Sequence, residues 1–272
     1  MIRTVPSETF RGLLLLFCCI ATPSVVSAAW QDQPLPEGRV GALAARHLHN
    51  LEDYLSGLTE FGFEATESFD EFTDSGLLVR YHNRRRIALR RPGKLISEAF
   101  GDTTNRKVWK SGNSVSILDQ EHLAYATLSP VPESIEELLE FAAEQYGIIV
   151  PLSDILHRRV YETFTLGART GAYLGLHTVN NFKCHHLAFE GDDLDWQLWI
   201  EAGAKPIPRK LVIRYKNVAG QPRYESEIVR WQESLALTDA DFVFTAPPGA
   251  EELKPSDLLG RASSSEPAGE TP

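Results

Sequence analysis

From Leu77 to Leu89 the chain alternates with a period of two. Val79, Tyr81, Ile87 and Leu89 fall on one side, and Arg80, His82, Arg84, Arg86 and Arg90 on the other. Successive side chains of a strand point to opposite faces, so the stretch predicts a sheet with one dry face and one wet, cationic face. That pattern belongs to an antiparallel sheet covered on one side only. Asn83 and Arg85 fall on the dry face, so the pattern predicts a tight turn near them that divides the stretch into two strands.

The same period recurs on both sides of a helical break. Before Glu64, residues 40–61 carry Leu43, His47, Leu51, Tyr54, Leu55 and Leu58 at three- and four-residue steps, which predicts a helix. Strands are expected at 64–72, 106–110, 114–118 and 123–128, separated by Asp74-Ser75-Gly76, Ser111-Gly112-Asn113 and Asp119-Gln120-Glu121. Residues 134–146 then present Ile135, Leu138, Leu139, Ala142 and Tyr146 on one stripe, with acids in the first turn and Gly147 as the stop. A second short helix is expected over 153–161. Strands resume at 173–179, 182–189, 196–201, 209–215, 224–231 and 242–245. Many antiparallel strands with helices on one face make an α+β fold. Twisted meanders of this size curl, so an open, strongly curved barrel with an apolar interior is the expected form. Residues 29–253 are expected to form one domain. From Pro255 the Ser-, Pro- and Gly-rich sequence predicts a disordered tail over 254–272.

Residues 1–28 read as a signal peptide. Arg3 and Arg11 precede the apolar run Gly12 to Ile20, and Ser27, Ala28 and Ala29 offer a cleavage site. The run is shorter than the roughly 20 residues a membrane span needs, so export to the periplasm is expected, without an integral membrane anchor. A lipidated anchor at Cys18 or Cys19 fits less well, because bulky Phe17 precedes them. Cleavage removes both of those cysteines and leaves Cys184 alone, which excludes an internal disulfide. It also removes Arg3, Arg11 and Glu8, leaving 25 Lys and Arg against 36 Asp and Glu, a net charge of −11. That balance argues against a nucleic-acid partner.

No catalytic signature is present. Gly-x-Ser-x-Gly, His-Glu-x-x-His and a phosphate-binding glycine loop are all missing, so no enzyme and no cofactor is expected. Cys184 and His186 share a strand face, but no second pair supplies the three or four ligands a metal requires; packing is the expected role of Cys184. The run Asn83 to Arg91 is read as a solvated sheet face, with anionic head groups as the sharper alternative. Gly167, Gly171 and Gly175 are read as bends in a curved sheet.

Six ordered stretches resemble a family of predicted periplasmic proteins, domain-of-unknown-function family 2092, related in fold to the lipoprotein-carrier superfamily. They are IALRRPGKLI from Ile87, WKSGNSVSIL from Trp109, CHHLAFEGDDLDWQLW from Cys184, PIPRKLVIRY from Pro206, YESEIVRW from Tyr224 and DADFVFTAPPGA from Asp239. The resemblance implies an incomplete barrel of about eleven strands closed by helices, and a hydrophobic or acylated ligand held in the cavity between. It also implies that Arg91, beside Pro92, latches a helical lid; the neighbouring Arg90 and the lack of Phe or Trp soon after the proline depart from the pattern. The inward residues of the strands give the expected ligand lining: Val79, Tyr81, Ile87, Leu89, Trp196, Leu198, Ile200, Leu211, Ile213 and Tyr215. A monomeric carrier is one expectation. An envelope sensor of the same fold that binds a protein partner is the other.

Overall fold

A computed structural model describes residues 39–148, 150 and 152–261. The leader expected over 1–28 lies outside the described residues. Helix α1 (Ala42–Gly57) comes first, followed by strands β1 (Glu60–Phe72), β2 (Leu78–Arg90), β3 (Lys94–Gly101), β4 (Asn105–Ser111), β5 (Ser114–Asp119) and β6 (Ala124–Leu128). Helix α2 (Ile135–Tyr146), a 3-10 turn at Ser153–Ile155 and helix α3 (Val160–Thr165) make the break. The second meander contains β7 (Ala168–Val179), β8 (Phe182–Gly191), β9 (Leu194–Glu201), β10 (Pro208–Tyr215) and β11 (Arg223–Gln232), followed by β12 (Glu251–Glu252) and α4 (Pro255–Arg261).

All twelve strands form one open sheet in the order β12-β6-β5-β4-β3-β2-β1-β11-β10-β9-β8-β7. The two meanders are thus joined where β1 pairs with β11, and every pairing is antiparallel except β12 with β6. The α+β half-barrel expected from the alternation is present, with a twelfth strand of two residues. Register shifts in β1, β7 and β10 add local bends that help the sheet curl. Gly171 serves a close approach: a Cβ there would sit 2.7 Å from the Phe189 ring, where Gly41 N–H donates to the Gly171 carbonyl at 2.9 Å.

The concave face is filled from two sides. Leu48, Leu51 and Leu55 of α1, with Phe164 of α3, pack against Phe61, Phe63, Leu89, Trp196 and Leu198 in the larger cluster. Leu258 and Leu259 of α4 pack with Val115, Ile117, Ala124 and Ala126 in a second.

Several local expectations are corrected. Strand β2 runs unbroken through Asn83 and Arg85, both buried on its concave side. Helix α1 stops at Gly57 because Phe61 and Phe63 are claimed by pairing with Leu89 and Ile87. The stripe of α1 begins at buried Ala44, not at exposed Leu43. Residues 242–245 form no strand: Phe242 ends a 3-10 turn and is buried beneath the Arg90 guanidinium. The expected tail begins too early, since α4 buries two leucines, each worth about 1.5–3 kcal/mol of apolar burial. Residues 262–272 lie outside the described residues.

Candidate ligand-binding site

Between α2 and the concave side of β2 to β6 lies an apolar cavity of ≈ 90 Å³. Its floor is Ile87, Leu95, Val108, Val115 and Ile117; its roof is Leu138, Leu139, Phe141 and Ala142 of α2; Leu259 of α4 also reaches its wall.

The roof is built by local chemistry at the start of α2. Ser134 caps the helix, accepting from Glu137 N–H at 3.2 Å while its hydroxyl donates to Glu137 Oε2 at 2.8 Å. Gly147 ends it in the left-handed conformation at φ 64. Within α2 Ile135 is buried, whereas the cavity-facing residues after it are half-buried or exposed.

The β2–β3 turn ties this helix down. Ile135 N–H donates to the Pro92 carbonyl at 3.0 Å, and Arg91 Nη1 donates to Glu136 Oε1 at 2.7 Å. The Arg91 side chain is 2% exposed, and its burial, opposed by Glu136, holds the guanidinium below its ordinary pKa. Gly93 runs so close beneath Glu133 that a Cβ would lie 2.1 Å from its carbonyl oxygen. Buried Lys110 donates to that same carbonyl at 2.9 Å, and burial lowers its pKa.

The ten residues expected to line a ligand do not stay together. Ile87 lines the cavity. Leu89, Trp196, Leu198 and Leu211 are packed solid under α1 and α3 in the larger cluster, where Trp196 Nε1–H also donates to the Phe164 carbonyl at 3.2 Å, and Ile200 of the same cluster borders a second pocket beside α1. Tyr81, Ile213 and Tyr215 gather at the far end of the strands with Phe69 and Tyr224, half-buried, and Val79 is half-buried beside them in sequence. The correction has a packing cause: the leucines of α1 and Phe164 fill the apolar trough on that side, and the apolar space lies beneath α2. The lining contributed by α2 was visible as its apolar stripe. Which strands that stripe faces had no sequence signal.

Between the far-end cluster and the rest of the concave wall runs a polar band. Arg85 Nε donates to Glu67 Oε1 at 2.6 Å and its Nη2 to Oε2 at 3.1 Å, while Tyr224 O–H donates to Glu67 Oε1 at 2.7 Å. Arg106 and Asp119 face each other at 3.5 Å farther along. On the convex side Arg80 pairs with Asp70, Arg86 with Glu64 and Glu98, and Arg90 with Glu60 and Asp239. The convex-side arginines of the basic run are therefore charge-paired, apart from Arg84, which has no ion pair among the described residues. Cys184 is buried and free, its thiol pushed up to about 11 by burial. Among the described residues no group of three His, Cys, Asp or Glu side chains is placed to hold a metal ion. No helix among them is long and apolar enough to cross a membrane.

A family model described as predicted periplasmic protein (DUF2092) matches residues 44–254. The chain belongs to this family. The periplasm is its compartment, as the reading of residues 1–28 led one to expect. No curated protein matches the chain. Among solved structures it is similar to LprF from Mycobacterium bovis, with a TM-score of 0.44 at 12% identity over 74% of this chain and 99% of that one. The lipoprotein LppX from Mycobacterium tuberculosis is similar at 0.40 and 13% identity, over 71% and 97%. A LolA superfamily protein from Nitrosomonas europaea is similar at 0.32 and 9%, over 73% and 96%.

Proposed function

We propose that this is a non-catalytic periplasmic carrier that holds the acyl chain of a lipid or lipoprotein, or another hydrophobic ligand, in the cavity beneath α2. The observation that carries the reading is the lining, apolar apart from Ser97 and the hydroxyl of Tyr146. Ligand pockets have that composition, a mostly apolar wall with a few polar groups. No His, Cys, Asp, Glu or Lys lies in that wall, so the Ser97 and Tyr146 hydroxyls have no general base in it to activate them. At ≈ 90 Å³ the space is smaller than the roughly 150 Å³ that takes up benzene, so a long acyl chain enters only as α2 lifts. Helix α2 suits that motion, being fully buried only at Ile135 and tied at its N-terminal end. In this reading Arg91 is the latch, and Glu136 the group it holds.

A fluorescent fatty-acid analogue should bind at micromolar strength, about −8 kcal/mol. Ala142→Trp, which fills the cavity from a half-buried position, should weaken uptake at least about tenfold. Leu198→Met, a volume-conserving change in the packed half, should leave uptake unaltered. No uptake by folded wild type, or equal uptake by Ala142→Trp, would refute the carrier reading.

One observation favours the second reading, an envelope module that binds a protein. Strand β7 ends the sheet, and past its bridge at Gly171 it exposes Leu174 and Leu176 on an edge able to accept another strand. Protein that stays empty yet co-purifies with one envelope protein, and loses it on Leu176→Lys, supports that reading.

A further inference from the structure

A second pocket of ≈ 430 Å³ opens between α1 and the turn that follows β9. His47, Asn50, Asp53 and Tyr54 enter it from the helix, His185 and Glu201 from the sheet. Its lining contains no lysine and no arginine. Tyr54 is fixed at its floor, donating to Glu233 Oε1 at 2.7 Å and accepting from Trp231 Nε1–H at 2.9 Å. Glu201 is neutralised by Arg209, whose Nε donates to Oε2 at 2.7 Å.

Two groups in this lining are left unsatisfied. The exposed Asp53 carboxylate has no hydrogen-bond or ion-pair partner among the described residues. His47 is 7% exposed, stacks on His185 with ring centroids 3.7 Å apart, and has no hydrogen-bond partner among the described residues. Burial, together with His185 and Arg46, pushes the His47 pKa down to about 4, so the ring is neutral and keeps a lone pair free. A ring nitrogen that lines the pocket and has no protein partner is free to accept a hydrogen bond from a ligand donor. A carboxylate without a paired cation, lining the same pocket as a neutral ring about 9 Å along the helix from it, repels anions and accepts N–H donors.

We propose that this pocket binds a small organic cation bearing N–H donors, an alkylammonium or polyamine, with Asp53 taking its charge and His47 accepting one of its hydrogen bonds. The site is separate from the apolar cavity, and neither depends on the other.

Spermidine is a suitable probe, titrated calorimetrically at about 0.15 M salt, where charges more than about 8 Å apart are largely screened. Saturable one-to-one binding is expected, with acetate giving none. Asp53→Asn should weaken it at least about tenfold, and Asp53→Lys, which supplies its own ammonium, should abolish it. Glu121→Gln, a surface acid on the β5–β6 turn, should have no effect and so reports on attraction to the acidic chain as a whole. In wild type, spermidine should shift the ring resonances of His47 and His185, a readout that needs no variant to fold. Absence of saturable binding, an unchanged affinity in Asp53→Asn, or equal weakening in Glu121→Gln would overturn the assignment.

Discussion

The ion pair buried in the polar band should set much of the stability of this fold. Arg85 and Glu67 have side chains 3% and 2% exposed, and Arg85 meets both carboxylate oxygens. Burial pulls the guanidinium pKa down, and Glu67 more than restores it, so the pair is charged. Arg85→Met leaves the Glu67 carboxylate in the core with Tyr224 as its donor. An orphaned partner of this kind costs about 3–5 kcal/mol. For a domain of this size that lowers the melting temperature by about 6–20 °C. The double variant Arg85→Met, Glu67→Leu removes both charges and takes from the buried Tyr224 hydroxyl its Glu67 acceptor, a penalty of up to about 1–3 kcal/mol. It should therefore be more stable than Arg85→Met alone. Urea unfolding followed by tryptophan fluorescence, with an unchanged m-value, measures wild type, Arg85→Met, Glu67→Leu and the double variant. The reasoning fails if Arg85→Met costs under about 1 kcal/mol, or if the double variant loses the sum of the two single losses.

Three further outcomes are expected. Glu136→Gln should weaken the charge-assisted bond from Arg91 and speed amide exchange selectively in α2; acceleration spread evenly over β7 to β11 would refute the latch. Truncation after Leu253 removes Leu258 and Leu259 and should cost up to about 3–6 kcal/mol, so an unfolding midpoint equal to that of the full chain would show that α4 contributes nothing. His47 has its folded pKa lowered to about 4 from 6.5, so its contribution to stability is complete above pH 6.5 and is lost as pH falls toward 4. Wild type should lose more stability over that window than His47→Gln, and parallel melting curves would sink this assignment.

Alternation in sequence was enough to say that strands form, which residues face inward and that the sheet must curl, because strand geometry ties side-chain direction to position alone. It placed Leu89 and Trp196 indoors, put Arg80, Arg84 and Arg86 outdoors, and displayed the stripe of α2. What covers an inward face is a different matter. Whether Trp196 lines a space or packs solid depends on α1 and α3, which arrive from distant parts of the chain. Arg85 makes the same point. A charge at an inward position reads as a break in the strand, and only Glu67 and Tyr224, brought beside it by the pairing of β1 with β2 and β11, make the unbroken strand tolerable. The leucines of α4 read as part of a polar tail until β6 offers them a surface. Local pattern determines direction, whereas cavity, partner and satisfied charge are properties of non-local neighbours, which come together only once the sheet has curled around them.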